Sequence, residues 1–328
     1  MACSQGCTDE LFNGRQVSCI GNARAGFETE RNLFPAKQAK HIMVAGAGVT
    51  GLEAAVTAAG RGHKVSLYEK QEDIGGQIPI AAAPPHKGEL MEYLRYYRAM
   101  LAKYDIQVFL NTQVTEELIQ KETPDHLIIA QGAAPLIPPI QGIDSPRVKS
   151  AWDVLAQDPP LGKNVAVIGG GAVGLETAHF VASKGCLTPE MLHFLMTYKA
   201  IDSNRLRQYM FQGTSKVTVF EMLEKPGLDL GKSTRWILMG NLKRHKVEIL
   251  TQAKVLSINQ DTLTFDLKGQ IDTQSFDSII LALGSKSVNT LEQVADKLGI
   301  PCSVIGDSKA PGKINHAIHG GFLAGAEV

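Results

Sequence analysis

The chain has 328 residues, of which 44% are hydrophobic and 20% charged, and its 33 basic side chains balance 33 acidic ones. Such a composition is typical of a globular protein with room for about two domains. Neither sign of charge gathers into a long run, so the sequence lacks the basic stripe expected of a nucleic-acid binder. The first thirty residues are too polar for a signal peptide, and the five cysteines follow no disulfide framework, so we expect a cytoplasmic protein.

Residues 41–70 predict a strand, a glycine turn, a helix of small residues and a second strand. The turn has the pattern GxGxxG, formed by Gly46, Gly48 and Gly51. These glycines permit a tight turn, the approach of a pyrophosphate to the backbone, and close packing of helix on strand. Glu69 ends the second strand, where a carboxylate accepts hydrogen bonds from ribose hydroxyls. The unit therefore predicts a dinucleotide site, and its apolar helix is not expected to cross a membrane.

The same pattern recurs over residues 164–185 and 216–222. Its turn is formed by Gly169, Gly171 and Gly174. Glu221 ends its second strand, where a carboxylate favours a free 2′-hydroxyl and repels a 2′-phosphate, so NADH is expected to be preferred over NADPH. Before that strand, residues 187–215 carry apolar side chains at helical spacing and predict an inserted helical hairpin.

Hydrophobic periodicity predicts the elements around this repeat. Helices are expected over residues 89–103 and 234–245 and from Lys313 onward; strands are expected over residues 106–110, 126–130, 247–250, 255–258, 263–265, 278–283 and 302–306. The resulting fold class is α/β, with two interleaved Rossmann-like dinucleotide-binding domains and a short cysteine-containing N-terminal leader.

Three further segments resemble the FAD-domain signatures of pyridine-nucleotide-dependent flavoprotein reductases. They are Gly75-Gly76-Gln77, the stretch AQGAAPLIPPIQG that contains Gly132, and VIGDSKAPGKINHAIHGGF with its Gly306-Asp307 pair. The resemblance implies that Asp307 contacts the ribityl–phosphate region of FAD and that Gly76, Gln77, Gly132 and Gly306 also line that cofactor. It implies an FAD domain of residues 41–151 and 286–328, and an NAD(P) domain of residues 152–285.

Cys3, Cys7 and Cys19 are spaced C-x3-C-x11-C within residues 1–40. This leader resembles the iron–sulfur segment of the enoate reductase, 2,4-dienoyl-CoA reductase and trimethylamine dehydrogenase family, whose pattern has one more cysteine. The resemblance implies thiolate ligands for a 4Fe-4S cluster, since soft sulfur ligands suit iron. The missing cysteine would precede Met1, as would an FMN-bearing TIM barrel. We therefore expect a fragment of a longer polypeptide in which the cluster is incomplete.

The same resemblance implies hydride transfer from NADH to FAD, with Glu176 near the nicotinamide and Gln77 near the flavin. In the parent protein, electrons would then pass through the cluster to FMN, which would reduce the C=C bond of an enoate or enoyl-CoA. Two alternatives stay open. One is a self-sufficient NADH:acceptor reductase, and the other is a non-catalytic module that holds ADP, as in trimethylamine dehydrogenase.

Overall fold

The computed structural model describes residues 3–328, and its contacts divide the chain into two units. Unit 1 contains the described residues up to Ala82, Glu89–Ala134 and Ser285–Val328. Unit 2 contains Ala83–Gly88 and Pro135–Gly284. Unit 2 is thus inserted into unit 1, and a short separate segment of the chain also belongs to it.

Unit 1 is an α/β unit built on five parallel strands. Its helices are α1 (Thr8–Phe12), α2 (Val49–Gly60), α3 (Ile78–Ala82), α4 (Glu92–Lys103), α5 (Glu116–Glu122), α11 (Glu292–Leu298) and α12 (Ile314–Glu327), the last two named in chain order after those of unit 2. Its strands are β1 (His41–Ala45), β2 (Lys64–Tyr68), β3 (Gln107–Phe109), β4 (His126–Ile129) and β15 (Cys302–Val304). A two-stranded sheet is formed by β5 (Ala133–Pro135) and β14 (Ser285–Ser287).

The strand order of the unit 1 sheet is β15-β4-β1-β2-β3, and every pairing is parallel. Ile42 and Val44 pack on one side with α2, α4 and α12, while Met43 and Ala45 pack on the other side with α5 and α11. The sheet is therefore covered on both faces, which explains why its central strand is continuously apolar.

Unit 2 repeats this architecture. Its helices are α6 (Ala151–Gln157), α7 (Ala172–Ser183), α8 (Pro189–Thr197), α9 (Ser203–Phe211) and α10 (Lys232–Arg244). Its strands are β6 (Val148–Ser150), β7 (Asn164–Ile168), β8 (Lys216–Glu221), β9 (Glu248–Thr251), β10 (Ala253–Asn259), β11 (Thr262–Leu267), β12 (Gln270–Ser275) and β13 (Ser278–Leu281). The parallel order β6-β13-β7-β8-β9 has the same arrangement as that of unit 1, except that the outer strand β6 comes first of its sheet in the chain whereas β15 comes last.

Two features of unit 2 have no counterpart in unit 1. Strands β10, β11 and β12 form an antiparallel sheet, in which β12 is almost wholly exposed. Helices α8 and α9 lie in the segment predicted as a hairpin, and neither buries a residue. Each has a side-chain N-cap, Thr188 for α8 and Asp202 for α9, which fixes where the helix starts.

The two parallel sheets, each with a βαβ unit at its centre, confirm the predicted fold class. In the described part of the chain, residues 3–328, no helix is long and apolar enough to cross a membrane. The apolar stretch of residues 42–59 is instead β1, the glycine turn and most of α2.

Candidate functional site: two matching nucleotide turns

The first glycine turn connects β1 to α2. Gly46 has φ +108°, which a residue with a Cβ rarely adopts, and its amide donates to the Tyr68 carbonyl of β2 at 2.8 Å. A Cβ on Gly51 would lie 1.9 Å from the Gly46 carbonyl oxygen. Beside Gly48, in contrast, a Cβ would meet nothing within 4 Å. The turn is therefore tightly closed against the sheet and open on the side where α2 begins.

Glu69 lies directly behind this turn, at the end of β2. It is 6% exposed, and its two carboxylate oxygens accept hydrogen bonds from the amides of Ala47 at 2.8 Å and Gln71 at 2.9 Å. Backbone donors thus fix a negative charge at the position where a ribose binds in this class of fold. Each carboxylate oxygen has a second lone pair available to a hydroxyl group.

Three distant segments of unit 1 meet at the same turn. Gly48 bridges to Gly75, and a Cβ on Gly76 would lie 3.0 Å from the Gly48 Cα. The Gln77 side-chain amide donates to Asp307 Oδ2 at 2.9 Å, and Asp307 Oδ1 accepts from the Gly312 amide at 3.0 Å. Gly306, which precedes Asp307, would place a Cβ 2.4 Å from Thr50 Oγ1 of α2.

Gly132 completes this set, because its amide donates to the Ser308 hydroxyl at 2.8 Å. Helix α12, which follows the Asp307 segment, packs so closely on α2 that a Cβ on Gly321 would lie 2.4 Å from the Thr50 carbonyl oxygen. The residues predicted to hold FAD therefore surround one glycine turn, although they are spread over most of the chain. Open space beside Gly48 and free helix N–H groups fit the phosphates of a dinucleotide.

The second glycine turn, between β7 and α7, has the same geometry. Gly169 also has φ +108°, and its amide donates to the Phe220 carbonyl of β8 at 2.9 Å. A Cβ on Gly174 would lie 1.9 Å from the Gly169 carbonyl oxygen. Glu221 is 8% exposed and accepts from the amides of Gly170 and Leu223, both at 2.7 Å. These residues fit the phosphates and adenine ribose of a pyridine nucleotide.

One contact at the second turn is absent from the first. Asp229 lies on the segment between β8 and α10, and both of its carboxylate oxygens lie 2.9 Å from the amide of Ala172, the first residue of α7. The α7 N-terminus carries the positive end of the helix dipole, which attracts an anion. Sequence reasoning missed Asp229; the adjacent pair Pro226-Gly227 signals a turn there, but does not say where the next side chain points.

Glu176 lies one turn into α7 and forms an ion pair with Lys87. Both belong to unit 2, because Lys87 lies in the segment Ala83–Gly88. Their side chains are 17% and 36% exposed, respectively, so the pair is partly withdrawn from water. Sequence reasoning missed Lys87, since no motif links it to a residue 89 positions away.

Three histidine rings of unit 2 lie close together, and the ring of His179 contacts each of the other two. His179, one helical turn after Glu176, has its ring centroid 6.5 Å from that of His86 and 5.2 Å from that of His245. His179 is 5% exposed, and burial, with a smaller contribution from the charges of His245 and His86, lowers its pKa to about 4. It is therefore neutral at physiological pH.

The cysteine leader packs on unit 1. The Gly21 amide donates to Cys19 Sγ at 3.3 Å, and the Cys19 carbonyl oxygen lies 3.3 Å from His319 Nε2. Burial raises the pKa of the Cys3 thiol, and the nearby Cys7 and Cys19 raise it further. Within residues 3–328, however, no three His, Cys, Asp or Glu side chains are grouped so as to hold a metal ion. As arranged here, the leader does not fit an iron–sulfur cluster.

Comparison with known proteins identifies the family. Residues 40–311 match the family model for pyridine nucleotide-disulphide oxidoreductases. The chain is 40% identical to a metal reductase of Desulforamulus reducens and 33% identical to a bilirubin reductase of Mediterraneibacter gnavus. These alignments cover 97% and 99% of this chain, but 48% and 46% of those proteins.

A solved structure gives the same picture. A 2-naphthoyl-CoA reductase in complex with 2-naphthoyl-CoA is 29% identical, with a TM-score of 0.86 over 100% of this chain and 46% of that one. The chain thus spans about half the length of the relatives it matches, and the predicted resemblance to this group of reductases is confirmed. The chain belongs to the pyridine nucleotide-disulphide oxidoreductase family and is an FAD- and NAD(P)-binding flavoprotein oxidoreductase.

Proposed function

We propose that the chain is the electron-input module of an NADH:flavin oxidoreductase, with FAD bound in unit 1 and NADH bound in unit 2. The observation that carries this proposal is the duplication of one nucleotide turn. Both turns have a glycine at φ +108° and a buried glutamate that accepts two backbone hydrogen bonds. Two such turns in one chain support the binding of two dinucleotides.

In unit 1, the residues that would hold FAD each have a defined task. The N-terminus of α2 would bind the pyrophosphate, Glu69 would bind the adenine ribose, and Asp307 would orient the ribityl–phosphate region. Gln77 donates to Asp307 and so fixes its carboxylate. When bound, FAD supplies the hydride-accepting chemistry. Gln77 is therefore proposed as a residue that positions Asp307 and lies near the flavin.

In unit 2, Gly169, Gly171 and Gly174 would give the pyrophosphate access to the start of α7. Glu221 would bind the 2′- and 3′-hydroxyls of the adenine ribose, and its charge would repel a 2′-phosphate, which favours NADH over NADPH. Glu176 would lie at the nicotinamide end, where Lys87 holds its carboxylate.

Beyond FAD, the route of the electrons is proposed from the family resemblance alone. The resemblance implies a longer parent protein with a 4Fe-4S cluster and with FMN in a TIM barrel, where an enoate or enoyl-CoA would be reduced. Cys3, Cys7 and Cys19 are the proposed cluster ligands from this chain. The described residues do not group these three thiols into a metal site, so the proposed route beyond FAD rests on the resemblance and not on their geometry.

The free state of the described cysteines accords with a reducing cytoplasm.

An anaerobic addition of NADH tests this proposal. The purified chain is loaded with FAD, freed of oxygen and mixed with NADH while the absorbance of oxidised flavin is followed. Bleaching supports a reductase, and turnover with a soluble acceptor would favour the self-sufficient form. Flavin that stays oxidised with NADH but is reduced by dithionite would instead support the non-catalytic ADP-binding module.

A further inference from the structure

The two nucleotide turns differ in what lies against the helix N-terminus. Beside Gly48 in unit 1, a Cβ would meet nothing within 4 Å. At the equivalent Gly171 in unit 2, a Cβ would lie 3.2 Å from Asp229 Oδ2. The carboxylate also accepts the Ala172 amide hydrogen bond through both oxygens at 2.9 Å. An anion from this chain itself therefore lies where the pyrophosphate of the pyridine nucleotide is proposed to bind.

The backbone around Asp229 is attached to the same turn. The Gly227 amide donates to the Gly170 carbonyl oxygen at 2.7 Å, and the Arg235 guanidinium donates to the Pro226 carbonyl oxygen at 2.8 Å. Gly227 has φ +65°, and a Cβ there would lie 2.9 Å from Leu175 Cδ1. The segment is thus fixed two residues before Asp229, whereas Asp229 itself is exposed. Its side chain can leave the helix N-terminus without moving this anchor.

We propose that the Asp229 carboxylate competes with the nucleotide diphosphate for the anion position at the start of α7, and that the diphosphate displaces it on binding. The inference rests on the proposed nucleotide site in unit 2. A carboxylate and a diphosphate repel each other at the same helix N-terminus, so binding includes the loss of the Asp229 contact. Asp229 therefore lowers the affinity for the nucleotide.

Equilibrium binding of NAD⁺ and of ADP-ribose to the FAD-loaded chain tests this role. Asp229→Asn keeps a side-chain oxygen that accepts the Ala172 hydrogen bond but removes the charge. We expect the Kd of both probes to fall about two- to fivefold, the range that one exposed charge at a helix N-terminus commonly produces. Glu224→Gln is the matched control, since Glu224 is an exposed carboxylate on the same segment. It should leave the Kd of both probes unchanged.

A second readout reports the displacement itself. The backbone amide resonance of Ala172 should shift on Asp229→Asn in the absence of nucleotide, and again in the parent chain when ADP-ribose is added. An unchanged or weaker affinity in Asp229→Asn would overturn the inference while leaving the proposed function intact, because nucleotide would still bind. If neither probe binds to the parent or to the variant, the nucleotide site in unit 2 is wrong, and the inference fails with it.

Discussion

Lys87 and Glu176 form an ion pair within unit 2, although 89 positions separate them and the chain on both sides of Ala83–Gly88 belongs to unit 1. The pair thus ties this short segment to α7. We expect Lys87→Met to slow flavin reduction by NADH severalfold, because Glu176 loses the cation that orients it, while FAD affinity stays the same. Stopped-flow absorbance measures the rate.

Lys184→Met is the control for that variant, because Lys184 also pairs with a carboxylate of unit 2, that of Asp158. It should change neither the rate nor the FAD affinity. Equal slowing by both variants would show that Lys87 acts only through general charge or stability. Both pairs are partly exposed, and surface ion pairs contribute only about 0.2–1 kcal/mol, so neither variant is expected to unfold the protein.

Gly174→Ala should abolish nucleotide binding in unit 2 and leave FAD bound. Its Cβ would lie 1.9 Å from the Gly169 carbonyl oxygen, so α7 must move away from the turn. Gly240→Ala, in α10, is the control, since its Cβ would meet only Arg244 Nη1 at an ordinary 3.7 Å. Equilibrium dialysis with NAD⁺ and extraction of FAD measure the two sites. Loss of FAD instead of NAD⁺ binding would reverse the assignment of the units.

Glu221→Gln should reduce the preference for NADH over NADPH at least about tenfold in kcat/KM. The variant loses the charge that repels a 2′-phosphate and a charged hydrogen bond of roughly 1.5–3 kcal/mol. Glu248→Gln, on neighbouring strand β9, should leave the preference unchanged. A parent chain that already uses NADPH better than NADH would contradict the role given to Glu221.

His179 predicts a pH dependence of stability. Its pKa is lowered to about 4, chiefly by burial. Between this pKa and that of the unfolded chain, His179 is therefore protonated in the unfolded state and neutral in the folded state. The stabilisation is complete above the unfolded pKa of about 6.5 and is lost as pH falls through about 4. It amounts to at most about 3 kcal/mol.

We therefore expect His179→Leu to flatten the acid limb of the free energy of unfolding between these two pH values. Urea unfolding at several pH values measures the slope. His193→Leu removes an exposed histidine of α8 and should keep the parent slope. An acid limb that is equally steep in His179→Leu would assign the pH dependence to other groups.

The cysteine leader predicts a pattern of iron retention. As purified, the chain should hold less iron than a complete 4Fe-4S cluster requires, because Cys3, Cys7 and Cys19 supply only three thiolates. After anaerobic reconstitution with ferrous iron and sulfide, serine at any of these positions should lower the retained iron. Serine at Cys186 or Cys302 should not. Iron that is insensitive to all of these changes would show that the leader was misread.

The fold was predictable from sequence where neighbouring residues in the chain determine the local structure. Both glycine turns, and the glutamates Glu69 and Glu221 that follow them in the motif, could be predicted from a short pattern. Gly46 and Gly169 need a positive φ, and the strand that precedes each of them is apolar. Strand β12 was missed, because its residues are mostly polar and almost all exposed. Its sequence therefore lacks the alternation of apolar and polar residues that predicts a strand. Its position comes from pairing with β11, which sequence periodicity does not encode.

The site was predictable only in part, for a similar reason. Gln77 and Asp307 belong to recognisable signatures, but the hydrogen bond between them joins positions 230 residues apart and depends on the tertiary structure. Lys87 and Asp229 belong to no motif, and tertiary structure alone brings them to α7. The motif residues of the two proposed nucleotide sites can thus be predicted from sequence. The charged side chains that act on those sites, Lys87 and Asp229, cannot.

Single-turnover reduction with 4-deuterated NADH tests the central claim most directly. The FAD-loaded chain is mixed anaerobically with NADH or with NADH that carries deuterium at the transferred position, and flavin bleaching is followed. We predict one flavin reduced per NADH oxidised and slower bleaching with the deuterated form, since the transferred hydride leaves C4 of the nicotinamide. Flavin that remains oxidised, while FAD and NADH are both bound, would contradict the account.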